Sequence, residues 1–333
     1  MIVRGRFVAL MVFVAFGAAT PIGQQTAFRA GVDVVVVPVS VSDRNRPIRG
    51  LTAADFQLLD NGVAQDVTVT TIEHLPVDVT LVIDASASLM GKTLDDVKAD
   101  LQQMGDMLQP ADRVRVVSVA NSASEVVTQR PGGSVLPVDR IVGGGTTALY
   151  DGLVASLVAY PYADRPQLVF AVTDGRDNSS FLDADRLVAL AKTSSAVLSI
   201  ALVDTIVPAT QANRIEAVDP GVAERSFVVV PTSDRPGDGS MSATIARSVG
   251  PYRGEPNVSA LKTAATSTGG LVYANASSAE IPTLFRRAMD DLRAAYVLTY
   301  MPKGVVATGW HAITVHTKDA NQTVRARSGY QAR

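Results

Sequence analysis

The chain contains no cysteine. That excludes disulfides, thiol catalysis, cysteine zinc sites and a lipid anchor on a lipobox cysteine. Histidine is scarce, with three in 333 residues, so a metal or proton-transfer site built on imidazole is not expected. Neither sign of charge is in excess: 30 Lys and Arg stand against 32 Asp and Glu, a net charge of -2. A nucleic-acid partner would want a basic field, and there is none. Long apolar runs are also missing beyond the N-terminus. The single run there, from Phe7 to Ala19, is about a dozen residues and short for a membrane span. With Arg4 and Arg6 before it and Gly17, Ala18 and Ala19 at its end, it reads as a secretory signal peptide over 1–23. An uncleaved N-terminal anchor is the alternative. The mature chain is expected to be soluble, and secreted or periplasmic. What the sequence does have is apolar content, 47% of residues, enough for a full core.

Three stretches stand out. Val77-Asp78-Val79-Thr80-Leu81-Val82-Ile83 is a β-branched apolar run that ends in Asp84-Ala85-Ser86-Ala87-Ser88. Such a run reads as a parallel strand covered on both faces. At its carboxyl end, side chains face the crevice where ligands bind in open α/β sheets. One carboxylate and two alternate hydroxyls form an all-oxygen set that suits a hard divalent cation better than zinc or copper. Taken alone, the serines read equally well as helix N-caps. The second stretch, Gly143-Gly144-Gly145-Thr146-Thr147-Ala148-Leu149-Tyr150-Asp151-Gly152-Leu153, is a glycine-rich loop entering a helix. The third, Leu168-Val169-Phe170-Ala171-Val172-Thr173-Asp174-Gly175-Arg176-Asp177, is another buried strand ending in an aspartate.

The rest of the chain predicts an α/β unit bracketed by β segments. Residues 32–75 carry no helical period. They show a valine-rich strand from Val32 to Ser42, a turn at 43–47, and two β runs around Asp60-Asn61-Gly62, a hairpin signal. From 76 to 295, strands (113–119, 168–173, 197–203, 271–274) alternate with helical patterns (93–108, 148–159, 184–192, 258–266, 282–293). This is the mark of a doubly wound, mostly parallel sheet. Residues 204–256 interrupt the rhythm with six prolines and read as an irregular insertion holding one hydrophobic element at 227–230. Strands at 296–300, 310–317 and 322–326 follow, the last two expected to form a hairpin through Asp319-Ala320-Asn321. Trp310 is expected in a core. The economical arrangement is a β-sandwich formed by 24–75 and 296–333, with the α/β domain of 76–295 inserted in it.

Together the three stretches resemble the metal-ion-dependent adhesion site of the von Willebrand factor type A (VWA) domain family. The segment Leu51-Thr52-Ala53-Ala54-Asp55-Phe56 with Asp60-Asn61-Gly62 resembles the leader of a bacterial VWA-related family. The resemblance implies a Rossmann-like fold and a divalent cation, Mg²⁺ or else Mn²⁺ or Ca²⁺. Its ligand positions would be Asp84, Ser86, Ser88, Thr147 and Asp174, with hydroxyls bonding directly and at least one aspartate acting through water. It also implies a partner protein that supplies a Glu or Asp carboxylate to the cation. Thr146 and Thr147 compete for the threonine position, and the family pattern Thr-Ala-Leu-x-Asp-Gly-Leu aligns with Thr147. Asp177 reads as a solvated loop acid or turn former, and Asp151 as a local cap. Enzyme readings are weaker. A haloacid-dehalogenase-type phosphatase wants an aspartate where Ser86 stands, and neither Gly-x-Ser-x-Gly nor a phosphate-binding Gly-x-x-x-x-Gly-Lys-Ser/Thr loop is present. A metal-assisted hydrolase and a module with a purely stabilising cation are the alternatives to an adhesion-type role.

Overall fold

The computed structural model describes residues 34–44, 46–159, 165–204 and 255–332. The expected signal peptide and nearly all of the expected insertion, including 227–230, lie outside them. Six strands form the central sheet: β6 (Asp78–Asp84), β7 (Arg113–Val119), β8 (Ala123–Pro131), β9 (Gln167–Thr173), β10 (Val197–Val203) and β11 (Val272–Ala276). Their order is β11-β10-β9-β6-β7-β8. All neighbours are parallel except β8, which runs antiparallel along the edge. Every residue of β6 and β9 is buried, which explains their mostly apolar sequences. One face is covered by α1 (Lys92–Asp106) and α5 (Ile281–Arg293), whose Leu94, Leu101, Phe285 and Leu292 join Leu81, Ile83 and Phe170 in one cluster. Phe170 and Phe285 meet edge to face, with ring centroids 5.4 Å apart. The other face is covered by α2 (Leu149–Val158), α3 (Ala184–Thr193) and α4 (Val258–Ser267), through Leu149, Leu153, Leu187 and Leu261.

Counted from β6 along the chain, this is the doubly wound order 3-2-1-4-5-6, and its reversal lies between β6 and β9. In open α/β sheets such a reversal is where ligands bind, at the carboxyl ends of the strands. The buried carboxylate Asp112 fixes the opposite end of β6. It accepts from the Val77 N–H (2.8 Å), the Gln109 N–H (2.8 Å) and the Arg293 guanidinium. The last turn of α5 is thereby tied to the start of the strand.

Two antiparallel sheets are built from the segments on either side. One has the order β14-β1-β12-β5, with β2 against β1; the other has the order β15-β13-β3-β4. Their strands are β1 (Val35–Asp43), β2 (Arg46–Pro47), β3 (Phe56–Asp60), β4 (Val63–Gln65), β5 (Thr68–Thr71), β12 (Tyr296–Tyr300), β13 (Gly309–Thr317), β14 (Thr323–Ala326) and β15 (Gly329–Ala332). Alternate residues of both sheets (Val37, Val39, Leu298 and Tyr296 from one, Phe56, Leu58, Ile313 and Val315 from the other) share one buried cluster. The β3–β4 hairpin forms as expected: Asp60 pairs with Val63 across Asn61-Gly62, both at positive φ.

Two expectations fail here. Residues 310–317 and 322–326 do not form a hairpin. β14 crosses to the other sheet and pairs with β1, matching Val324 to Val41 and Ala326 to Val39, while the unforeseen β15 takes the place beside β13. Trp310 is not core; it is 39% exposed, because the alternation of β13 turns its neighbour His311 inward instead.

That inward histidine belongs to a buried polar knot. Asp60, fully buried, accepts from Tyr300 Oη (2.8 Å) and Tyr330 Oη (3.0 Å) and lies 2.7 Å from His311 Nδ1. Burial first, then the hydrogen bond to Asp60, pushes the Tyr300 phenol well above its ordinary range. Asp60→Ala would strand these buried groups together. A loss of about 3 kcal/mol or more is expected, read as a lower urea midpoint at unchanged slope.

Candidate metal centre

Asp84 is the last residue of β6, and Asp174 follows the last residue of β9, so the two carboxylates flank the strand-order reversal. Both are buried. Asp84 is held on both oxygens: Oδ1 accepts from the Ser86 N–H (2.9 Å) and Oδ2 from the Thr173 hydroxyl (2.7 Å). The Gly175 N–H in turn donates to the Thr173 hydroxyl (3.0 Å), linking the β9 exit to Asp84. The serines are not helix caps. The N-cap of α1 is Gly91, and the Ser86 and Ser88 hydroxyls instead lie 3.0 Å from each other.

The glycine loop closes over this point. The Ala87 N–H donates to the Gly145 carbonyl (3.2 Å), and the Gly144 N–H to the Ala85 carbonyl (2.7 Å). Glycine at 145 is a matter of space, since a Cβ there would stand 2.2 Å from Asn121 Oδ1. Asn121 also separates the two threonines. It accepts from both the N–H and the hydroxyl of Thr146 (2.8 Å each), which commits Thr146 to a loop contact. Thr147 is buried and fixed by its backbone: its N–H donates to Asn178 Oδ1 (2.7 Å), and its carbonyl accepts from the Asn178 and Ser179 N–H groups.

Loop 174–182 also reaches the start of α2. Asp177 accepts from the Tyr150 N–H (2.9 Å) and the Ser180 hydroxyl, and the Ser180 hydroxyl accepts from the Asp151 N–H (3.1 Å). Asp151 answers by accepting from the Phe181 and Leu182 N–H groups (2.9 and 3.0 Å). The first turn of α2 is thus capped by a distant loop rather than by its own N-cap, Ala148. Asp177 is a turn former as expected, though half-buried rather than solvated. Its carboxyl is raised above the usual range, chiefly by burial. Asn121, Thr173 and Asn178 escaped the sequence reading. Threonine and asparagine at strand ends are common turn residues, and only the fold shows which side chain they hold.

The donor set suits a small hard cation. Adjacent corners of an octahedron with bonds of about 2.0–2.1 Å lie roughly 2.9 Å apart, close to the 3.0 Å between the serine hydroxyls. The two carboxylates bring negative charge into a buried setting. Burial, and to a lesser degree the charge of Asp174, pushes Asp84 up to about 6. No group of three or more His, Asp or Glu side chains that could hold a metal occurs among the described residues, so any cation here would depend on hydroxyl oxygens as well. Asp174 has a cationic neighbour already: Arg176 Nη1 donates to its Oδ2 (2.9 Å) and the Arg176 N–H to its Oδ1 (3.1 Å).

The raised Asp84 carboxyl has a consequence for stability without metal. Between about pH 4 and 6 the folded protein keeps a proton that the unfolded chain has released, so folding weakens as pH rises through that window. A shift from 3.8 to about 6 corresponds to roughly 3 kcal/mol lost by neutral pH. Urea unfolding in chelator at pH 4.5 and 7 is expected to show this loss, and Asp84→Asn is expected to flatten it.

No protein-family model matches the chain. The uncharacterized protein sll0103 of Synechocystis sp. is 30% identical over 128 residues, 37% of this chain and 30% of that protein. This chain therefore matches under a third of that relative's length. Among solved structures, an aerotolerance-related membrane protein from Bacteroides fragilis is 16% identical, covering 64% of this chain and 98% of that chain, with a TM-score of 0.39. Von Willebrand factor type A from Catenulispora acidiphila is 14% identical, covering 89% of this chain and 63% of that chain, with a TM-score of 0.45. The 3-2-1-4-5-6 strand order makes the α/β region a doubly wound, Rossmann-like sheet, with Asp84 and Asp174 at its reversal.

Proposed function

We propose that this protein is a non-enzymatic interaction module that holds a divalent cation on Asp84, Ser86, Ser88, Thr147 and Asp174. The cation would be Mg²⁺, with Mn²⁺ or Ca²⁺ as substitutes. A partner protein would bind by giving it a Glu or Asp carboxylate. One observation carries the reading: two buried carboxylates face the strand-order reversal with the two serine hydroxyls at octahedral-edge spacing. When bound, the cation supplies Lewis acidity toward an incoming oxygen. The chain's own residues do the positioning. Thr173 and the Ser86 N–H hold Asp84, Asn178 holds Thr147, and Asn121 holds the glycine loop. With three neutral hydroxyls in the set, much of the cation's charge is left for an external carboxylate.

We place the protein outside the cytoplasm, on the signal-like residues 1–23; no helix among the described residues is long and apolar enough to cross a membrane. We read the α/β region 76–295 as a domain inserted into a β-sandwich of 24–75 and 296–333. The buried cluster shared by the two antiparallel sheets supports this.

Calorimetry with Mg²⁺ and Mn²⁺ tests the centre. Binding by the intact chain that falls at least tenfold in Asp84→Ala and in Thr147→Ala is expected. Chelator should release a captured partner, and partner capture unchanged by chelator and by both substitutions would sink the proposal.

A further inference from the structure

We infer that Arg176 is a built-in counter-cation on Asp174 that competes with the divalent ion for it; this rests on the metal-centre reading above. The guanidinium reaches Asp174 from only two residues away. Gly175 lies between them at φ +81, a left-handed conformation that folds the chain back on itself. Both oxygens of Asp174 are engaged by the same residue, Oδ2 by Nη1 (2.9 Å) and Oδ1 by the backbone N–H (3.1 Å). The Asp174 side chain is 2% exposed while that of Arg176 is 27% exposed. The pair thus has a buried anion and a cation standing at the solvent side.

Chemistry makes the two cations alternatives. Without metal, Asp84 and Asp174 are like charges buried at adjacent strand ends, and the guanidinium lowers that repulsion. A divalent ion does the same work more strongly, but it must then share Asp174 with a fixed positive charge and is repelled by it. Arg176 therefore weakens cation affinity while steadying the two carboxylates whenever no divalent ion is bound. A carboxylate brought by a partner offers the displaced guanidinium a second anion, in the bidentate geometry arginine favours. Cation and acidic partner would then fill the centre together more readily than the cation alone.

The test is Mn²⁺ alone, titrated calorimetrically into the full chain and into Arg176→Met, which keeps an apolar stem, with thermal melts in chelator and in saturating Mn²⁺. Arg176→Met is expected to bind Mn²⁺ on the order of tenfold more tightly. It is also expected to melt lower than the parent in chelator and to recover in Mn²⁺. Arg176→Lys should lie between the two, and the gain should vanish in an Asp174→Asn background. A purely structural arginine would lower the melt in both conditions and leave affinity unchanged or weaker, which overturns the inference while the centre stands. No Mn²⁺ binding and no Mn²⁺ effect on any melt would overturn the centre and the inference with it.

Discussion

Two carboxylates buried at the ends of adjacent strands lose their hydration and, to a lesser degree, repel each other, and much of the surrounding structure can be understood as management of that cost. Asp84 and Asp174 come together because the sheet reverses its order between β6 and β9. Each is met by donors: a backbone N–H and a threonine hydroxyl for Asp84, a guanidinium and a backbone N–H for Asp174. These contacts lower the cost without removing it, and Asp84 remains hard to ionise. A cation would turn the same liability into an attraction. The reciprocal clasp between loop 174–182 and the first turn of α2 belongs to the same problem. It fixes the Thr147 backbone through Asn178 and the start of α2 through Asp177 and Asp151.

The strand that ends in Asp84 is anchored at its far end. Asp112 gathers the start of β6, the loop before β7 and the end of α5 onto one buried carboxylate. Asp60 plays a comparable part in the antiparallel sheets, drawing Tyr300, Tyr330 and His311 from three strands. In both places a buried anion with several donors does what a disulfide would do in a chain that had cysteine.

The sequence made the buried parallel strands legible for a plain reason. A strand covered on both faces is apolar at most positions, with polar exceptions such as Thr80, Arg115 and Ser199 buried among them, so β6, β7, β9 and β10 announce themselves. β8 did not, because only Val127 in it is buried and the other residues alternate without a clear apolar face. The β14 pairing was misread because a turn signal fixes where a chain reverses and not which sheet it enters. Trp310 was misread because one-residue register decides inside from outside, and His311 is the inward neighbour. The five centre positions were readable as motifs. Asn121, Thr173 and Asn178 were not, since each acts through a partner 25 to 89 residues away in the chain. Arg176 was in plain view beside its aspartate, yet only the fold shows that its guanidinium turns back onto it.

The two chain crossings into the α/β region lie side by side. β5 leads toward β6 and β12 leaves α5, and the two strands are antiparallel partners, with Thr71 opposite Tyr296 and the Ile72 N–H bonded to the Ala295 carbonyl. A pull on the carboxyl end of the parallel strands, resisted at the antiparallel sheets, would reach that ladder from one end. Its bonds would be loaded one after another, as a zipper opens, instead of being shared along the strand as in shear. The ladder does not bear that load alone: Arg325 pairs with Asp291, the Ser328 N–H donates to the Ser267 carbonyl, and Asp112 ties the start of β6 to the end of α5.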